Sequence, residues 1–200
     1  MTFANMTLKE FTSKLSSNSP TPGGGSVAGL SISLAASLAS MVVNLTQDGS
    51  LDQYSNDLID HIDYALELID KDANSFNKVM DAFKMKKDTD QEIKNRKEAI
   101  QSALYNASLT PLETIELGVQ VLEISKEVAK YGNKNAVSDA GVAALMAHAG
   151  VKGASYNVFI NSSSLSDEKK SKELEDKTNK LVEKSNNLAK QIEEICLKKL

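Results

Sequence analysis

Tryptophan is absent from this 200-residue chain; cysteine occurs once, histidine twice and proline three times. A lone Cys196 cannot close an intrachain disulfide, and in the last turn of a helical pattern it reads as an inert, reduced thiol. With His61 and His148 the only histidines, a protein-held transition metal is not expected. An excess of positive charge is also missing. Lys and Arg number 23 against 27 Asp and Glu, for a net charge of −4, which argues against a nucleic-acid partner. Basic residues are scattered among acids, with short clusters only at Lys84/Lys86/Lys87 and Lys198/Lys199.

What is present is a helical composition. Ala, Leu, Ser, Lys and Glu dominate, and 41% apolar with 25% charged residues is the balance of an ordinary globular chain. The length suits one domain, 1–200, with a sizeable core. One apolar run, Val27 to Leu45, is long enough to span a membrane. It carries Ser31, Ser33, Ser37, Ser40 and Asn44, and a formed-looking helix with Glu10 precedes it. It therefore reads as a buried central helix rather than a membrane span or a signal peptide. A cytoplasmic location is the resulting expectation.

The periodicity predicts helices throughout. Thr7-Leu8-Lys9-Glu10 is a capping box. The apolar run to about Thr46 follows the loop Ser16–Gly25. A long pattern from Leu51 to Phe83 carries the stripe Leu58, Ile62, Ala65, Ile69, Phe76, Val79 and Phe83. A charged turn to Asp90 leads to a helix from Gln91 to about Ser108. Thr110-Pro111-Leu112-Glu113 reads as a second capping box that opens a further helix to about Lys130. Gly132 suits a left-handed stop. A small-residue helix from Val137 to Ile160 comes next. Ser166 or Asp167 then caps a final helix with Leu174, Leu181, Leu188, Ile192 and Ile195 inside. No strand-like alternation appears. The expected fold is all-α: a bundle of long antiparallel helices around an Ala/Ser/Gly-rich central one.

Three features point to chemistry. Pro22-Gly23-Gly24-Gly25-Ser26 concentrates glycine where a helix begins. Bare N–H groups there can face a ligand, or the segment is a turn. The stripe on the third long pattern steps from Ile69 onto Asp72 before Phe76. A carboxylate at that place is paired, protonated or facing a cavity, unless the helix is rotated and Asp72 lies solvated at the stripe edge. A cleft acid with a raised pKa suits proton shuttling, whereas Asp70 falls off the stripe. In the small-residue helix, Asp139, Ala143, Ala147, Gly150, Ala154, Asn157 and Asn161 share one face. Asn157 and Asn161 can grip one ligand together, and Asp139 alternatively complements the helix dipole. No Walker loop, G-x-S-x-G or H-E-x-x-H pattern occurs.

Four ordered blocks resemble the formiminotransferase-cyclodeaminase C-terminal family. They are Pro22–Ala28, Asp70-Lys71-Asp72-Ala73-Asn74-Ser75-Phe76, the stretch from Phe83 through Arg96 and Pro111, and Gly132–Asp139 with Asn157–Asn161. The resemblance implies an all-helical homodimer with no tightly bound cofactor, acting on a tetrahydrofolate derivative. The implied reaction closes 5-formiminotetrahydrofolate to 5,10-methenyltetrahydrofolate with release of ammonia. Hydrolysis of the methenyl compound to 10-formyltetrahydrofolate is the alternative, and a non-catalytic folate-binding bundle the second. Asp72 is the implied catalytic acid. Substrate contacts are expected from the backbone of Gly23, Gly24, Gly25 and Ser26, and from Asn133, Ser138, Asp139, Asn157 and Asn161. Lys84 and Lys87 are assigned to the glutamate tail. No fused formiminotransferase fits in 200 residues, so a separate one is the expected partner for the ammonia-releasing step.

Overall fold

The structure is a computed structural model describing residues 2–200. Six α-helices follow a 3₁₀ turn at Phe3–Asn5: α1 (Leu8–Leu15), α2 (Gly24–Asn44), α3 (Ser55–Lys84), α4 (Asp90–Tyr131), α5 (Val137–Ser162) and α6 (Glu168–Leu197). No strand occurs among the described residues. The capping boxes that form are Thr7/Glu10 and Thr89/Glu92. Asp167, rather than Ser166, caps α6 by accepting from Lys170 N.

α2 is the centre of the bundle. It is long and apolar enough to cross a membrane, but 11 of its 21 residues are buried. It packs against α3, α4 and α5. Small residues permit the close approach. A methyl on Gly150 of α5 would meet Ile32 Cγ1 at 2.7 Å and Ala28 O at 2.9 Å, so the two backbones touch only because that atom is missing. The core then fills with Ile32, Leu58, Leu68, Leu122, Val128 and Ile192. α3 and α5 run opposite to α2, α4 and α6. Near their common end, Lys199 Nζ after α6 donates to Ala129 O at the end of α4, where unpaired helical carbonyls welcome a cation.

Two expectations about helix ends are corrected. No second capping box forms at Thr110, and the patterns on either side are one 42-residue helix with Pro111 inside. Packing outweighs the local penalty of proline, about 3 kcal/mol. Thr110 is 2% exposed, and its hydroxyl pairs with Ser75 Oγ of α3 at 3.1 Å instead of capping. Gly132 does stop α4, but with φ −69° and ψ 170° it is extended, not left-handed. It is glycine because a side chain there would strike Val128 O and Val42.

The α3 stripe also departs from a plain core face. Leu58, Ala65, Ile69 and Val79 are buried, but Phe76 and Phe83 are 38% and 45% exposed. The reason is length. α2 begins level with Asp72, so the last three turns of α3 extend past its start with no α2 beneath them. The hollow left there is the site described next.

Candidate active site

The loop before α2 enters through a cis Thr21–Pro22 bond and starts the helix with Gly23 as N-cap. No side chain caps this end. Ser26, fully buried in the first turn, sets its hydroxyl 3.1 Å from Ile69 O and 3.0 Å from Asp72 Oδ2. The Ser26 backbone N–H also favours the charged form of Asp72. Gly25 faces the same carboxylate, and a methyl group there would overlap it. Of the three glycines only Gly25 is required by close approach, and none by backbone handedness: Gly25 gives the carboxylate room, whereas Gly23 and Gly24 have space for a side chain.

Burial raises the pKa of Asp72 above the ordinary aspartate value of 3.8, while the Ser26 hydroxyl and N–H act in the opposite direction. Burial wins. Ser26 Oγ has a single proton and two acceptors in reach, Asp72 Oδ2 and Ile69 O, so its donation to the carboxylate is shared and offsets burial only in part. Asp72 is therefore an acid that holds its proton above the usual carboxylate range and can release it into the cleft.

The cleft has a volume of about 430 Å³, within the range of small-molecule sites. Gly23, Gly24, Gly25 and Asp72 form its floor. Phe76, Met80 and Phe83 of α3 form an apolar wall, and Asn157, Ile160 and Asn161 of α5 the opposite one. Asn157 and Asn161 thus meet the triple glycine and Asp72, as the family resemblance implied. Asp70 does not. It turns toward the chain start, accepting from Phe3 N at 2.7 Å and Ala4 N at 3.4 Å. It lies on a larger hollow of about 890 Å³ between α3 and α4, where Lys71 and Glu113 are already paired to each other.

Other expected contacts lie elsewhere in the chain. Asn133 sits where α2 ends, its N–H on Thr46 Oγ1 at 3.0 Å and its Nδ2 on Leu45 O at 2.9 Å. It is separated from the cleft by the length of α2, about 30 Å. Ser138 and Asp139, in the first turn of α5, share that distant end. A single chain does not bring Asn133, Ser138 or Asp139 to Asp72, because α5 runs antiparallel to α2. Lys84 and Lys87 are exposed just beyond Phe83, outside the lining, and Lys84 pairs with Asp81 at 3.6 Å. His61 and His148 do not line the cleft; His148 Nδ1 is 2.9 Å from Ser185 Oγ. The sequence reading took Phe76 and Phe83 as core and did not single out Met80. Their signal was the stripe running on past the carboxylate.

A helical bundle that holds a buried acid on a bare helix start, at the floor of a half-apolar cleft, is an acid/base site for a small ligand with an apolar body. Comparison with known proteins is specific. Residues 7–180 match the formiminotransferase-cyclodeaminase family. The methenyltetrahydrofolate cyclohydrolase of Methylorubrum extorquens is 37% identical over 86% of this chain and 88% of its own length. The formimidoyltransferase-cyclodeaminase of Rattus norvegicus is 34% identical over 80% of this chain, which spans about a third of that longer protein (31%). The formiminotetrahydrofolate cyclodeaminase crystal structure from Thermotoga maritima superposes with a TM-score of 0.83 at 27% identity, over 96% of both chains. The chain belongs to the formiminotransferase-cyclodeaminase family.

Two outcomes are expected from this geometry. Gly25→Ala displaces the Asp72 carboxylate and lowers turnover by about 100-fold, with circular dichroism unchanged, as measured on the purified variant. Asp72 also leaves a pH signature. Its folded pKa is raised, so between the unfolded and folded values the folded chain binds more proton, and stability falls as pH rises through that window. Asp72→Asn removes this loss. Its melting temperature exceeds that of the unsubstituted protein at pH 8, and the difference shrinks as pH falls toward 4.

Proposed function

We propose that this protein is a formiminotetrahydrofolate cyclodeaminase. The carrying observation is Asp72, an acid of raised pKa on the floor of a cleft that has room for a reduced folate. The formimino group reacts as its amidinium, C=NH₂⁺: folate N10 attacks the carbon attached to N5, and the C=N π electrons move to the nitrogen, leaving it an uncharged NH₂. Asp72, as carboxylate, takes the proton from N10. The same group, now protonated, delivers it to the departing nitrogen as the C–N bond breaks. Ammonia leaves, and the N5–C–N10 bridge becomes the methenyl cation. One group serves both steps, which favours a pKa nearer the working pH than that of a free aspartate. The apolar wall of Phe76, Met80 and Phe83 suits the aromatic arm of the substrate. Holding N10 against the carbon supplies a further large part of the acceleration. No tightly bound cofactor enters these steps. A separate formiminotransferase would supply the substrate.

A second reading is favoured by the Methylorubrum relative, whose length this chain nearly matches and whose name is cyclohydrolase. There water adds to the methenyl carbon, Asp72 accepts its proton and N5 leaves protonated, giving the 10-formyl compound. The two readings are separated by assay. Appearance of methenyl absorbance from 5-formiminotetrahydrofolate with stoichiometric ammonia supports the first. Loss of methenyl absorbance without ammonia, at higher kcat/KM, supports the second. Asp72→Asn lowers either rate by about 10²–10⁴-fold and retains folate binding; near-normal turnover removes Asp72 from the mechanism.

The homodimer has support of its own. Val27, Leu30, Leu34, Leu38, Met41 and Leu45 follow one another along the uncovered side of α2, with Leu34, Met41 and Leu45 39–47% exposed. Beside them on α5, Val142, Leu145, Tyr156 and Ile160 are 46–67% exposed. Two adjacent helix faces about 30 Å long make a largely apolar patch, with Lys152 at its α5 margin, of the kind that forms one side of a dimer interface. The occupant is a second copy. A two-fold axis across the middle of this face superposes one end of the bundle on the other. The partner's Ser138 and the partner's Asp139 then approach the cleft that their own chain leaves distant. Leu145→Asp is expected to yield inactive monomers on gel filtration. Mixing inactive Asp72→Asn with inactive Asp139→Asn protein regains activity if the site is shared between copies; no recovery removes Asp139 from the site, because its own chain keeps it distant from Asp72.

A further inference from the structure

Pro111 has no N–H to give to Ala107 O, the carbonyl one turn earlier in α4. Ala107 is 7% exposed, and a buried carbonyl needs a donor. The donor comes from another helix: Asn161 Nδ2 of α5 reaches Ala107 O at 3.1 Å. Asn161 lines the cleft. A carboxamide has a donating and an accepting end. One of its two N–H groups is held on Ala107 O, which fixes the plane and sense of the amide, and Asn161 Oδ1 accepts no hydrogen bond from the described residues. Asn157, one turn before, is held alike, its Nδ2 on Gly153 O at 3.0 Å.

We infer that Pro111 is a positioning residue for folate recognition: by vacating Ala107 O it fixes the Asn161 amide with Oδ1 as the group offered to the ligand. The inference rests on the folate reading above. Asn157 and Asn161 then form an acceptor wall on α5, facing the same cleft as Asp72. A tetrahydropterin ring carries amino and ring N–H donors, which such a wall selects. Any other residue at 111 restores an N–H that competes for Ala107 O. Asn161 is then free to rotate, and the cleft meets a donor as often as an acceptor.

The test uses full-length protein and Pro111→Ala, with Pro111→Ser in its place should the alanine variant not fold. In ¹⁵N-labelled protein the Asn161 side-chain amide protons are expected to resonate away from free-amide positions and to collapse toward them in the variant. Identical signals in both proteins overturn the inference. Calorimetric titration with 5-formyltetrahydrofolate, a stable reduced folate, is the second measurement. Pro111→Ala weakens binding by about tenfold, and in the assays KM rises while kcat stays within about twofold. The Pro111→Ala/Asn161→Ala double variant binds no more weakly than Asn161→Ala alone, because Pro111 acts through Asn161. An unchanged Kd in Pro111→Ala, or a further loss in the double variant, overturns the inference. If the unsubstituted protein takes up no folate, the folate reading fails, and the Asn161 amide signals alone decide whether Pro111 orients that side chain.

Discussion

The seating of the first turn of α2 on Asp72 is the constraint on which the rest of the structure depends. A carboxylate shielded from water is costly unless something answers it. Here the Ser26 hydroxyl answers it, and Gly25 leaves it the space. This contact sets the level at which α2 may begin. Because α3, α4 and α5 all run past that level, a cleft opens above the helix start. Site and scaffold therefore share an atom-scale cause: a missing side chain at residue 25.

The same economy of side chains runs along α2. Gly29, Gly118 and Gly150 let neighbouring helices approach closely enough that a methyl at each would press on the partner. Such packing makes α2 a rigid post between the two ends of the bundle. One end carries the cleft. The other carries Asn133, tied to Leu45 O and Thr46 Oγ1. Polar residues at the two ends of one post cannot meet within a chain.

Pro111 is the place where local rules and the fold disagree. Read alone, Thr110-Pro111-Leu112-Glu113 starts a helix. In the fold it interrupts the hydrogen-bond ladder of one, and the carbonyl it frees is satisfied from α5. Conflicts of this kind tend to collect at functional sites, where another interaction compensates. Here the compensating side chain lines the cleft.

Much was legible in the residues. Helical periodicity marked every long element, since the 3.6-residue repeat of apolar side chains is a local property. The interruption of the α3 stripe by Asp72 was visible for the same reason, and glycines before an apolar run announced a close approach without naming its partner. The end of a stripe could not be read as cleft wall: Phe76 and Phe83 keep the period of a core face, and only the start of α2 determines that nothing covers them. The 18-residue separation of Asp139 and Asn157 on one helix already holds them about 27 Å apart; which of those two ends meets Asp72 was not legible, because linear blocks say nothing of helix direction. Periodicity, capping and the misplaced carboxylate are set by neighbours within about two turns. Which carbonyl Asn161 caps, which proton Asp72 keeps and which faces stay bare are set by groups 40 to 90 residues away, and only packing brings those together.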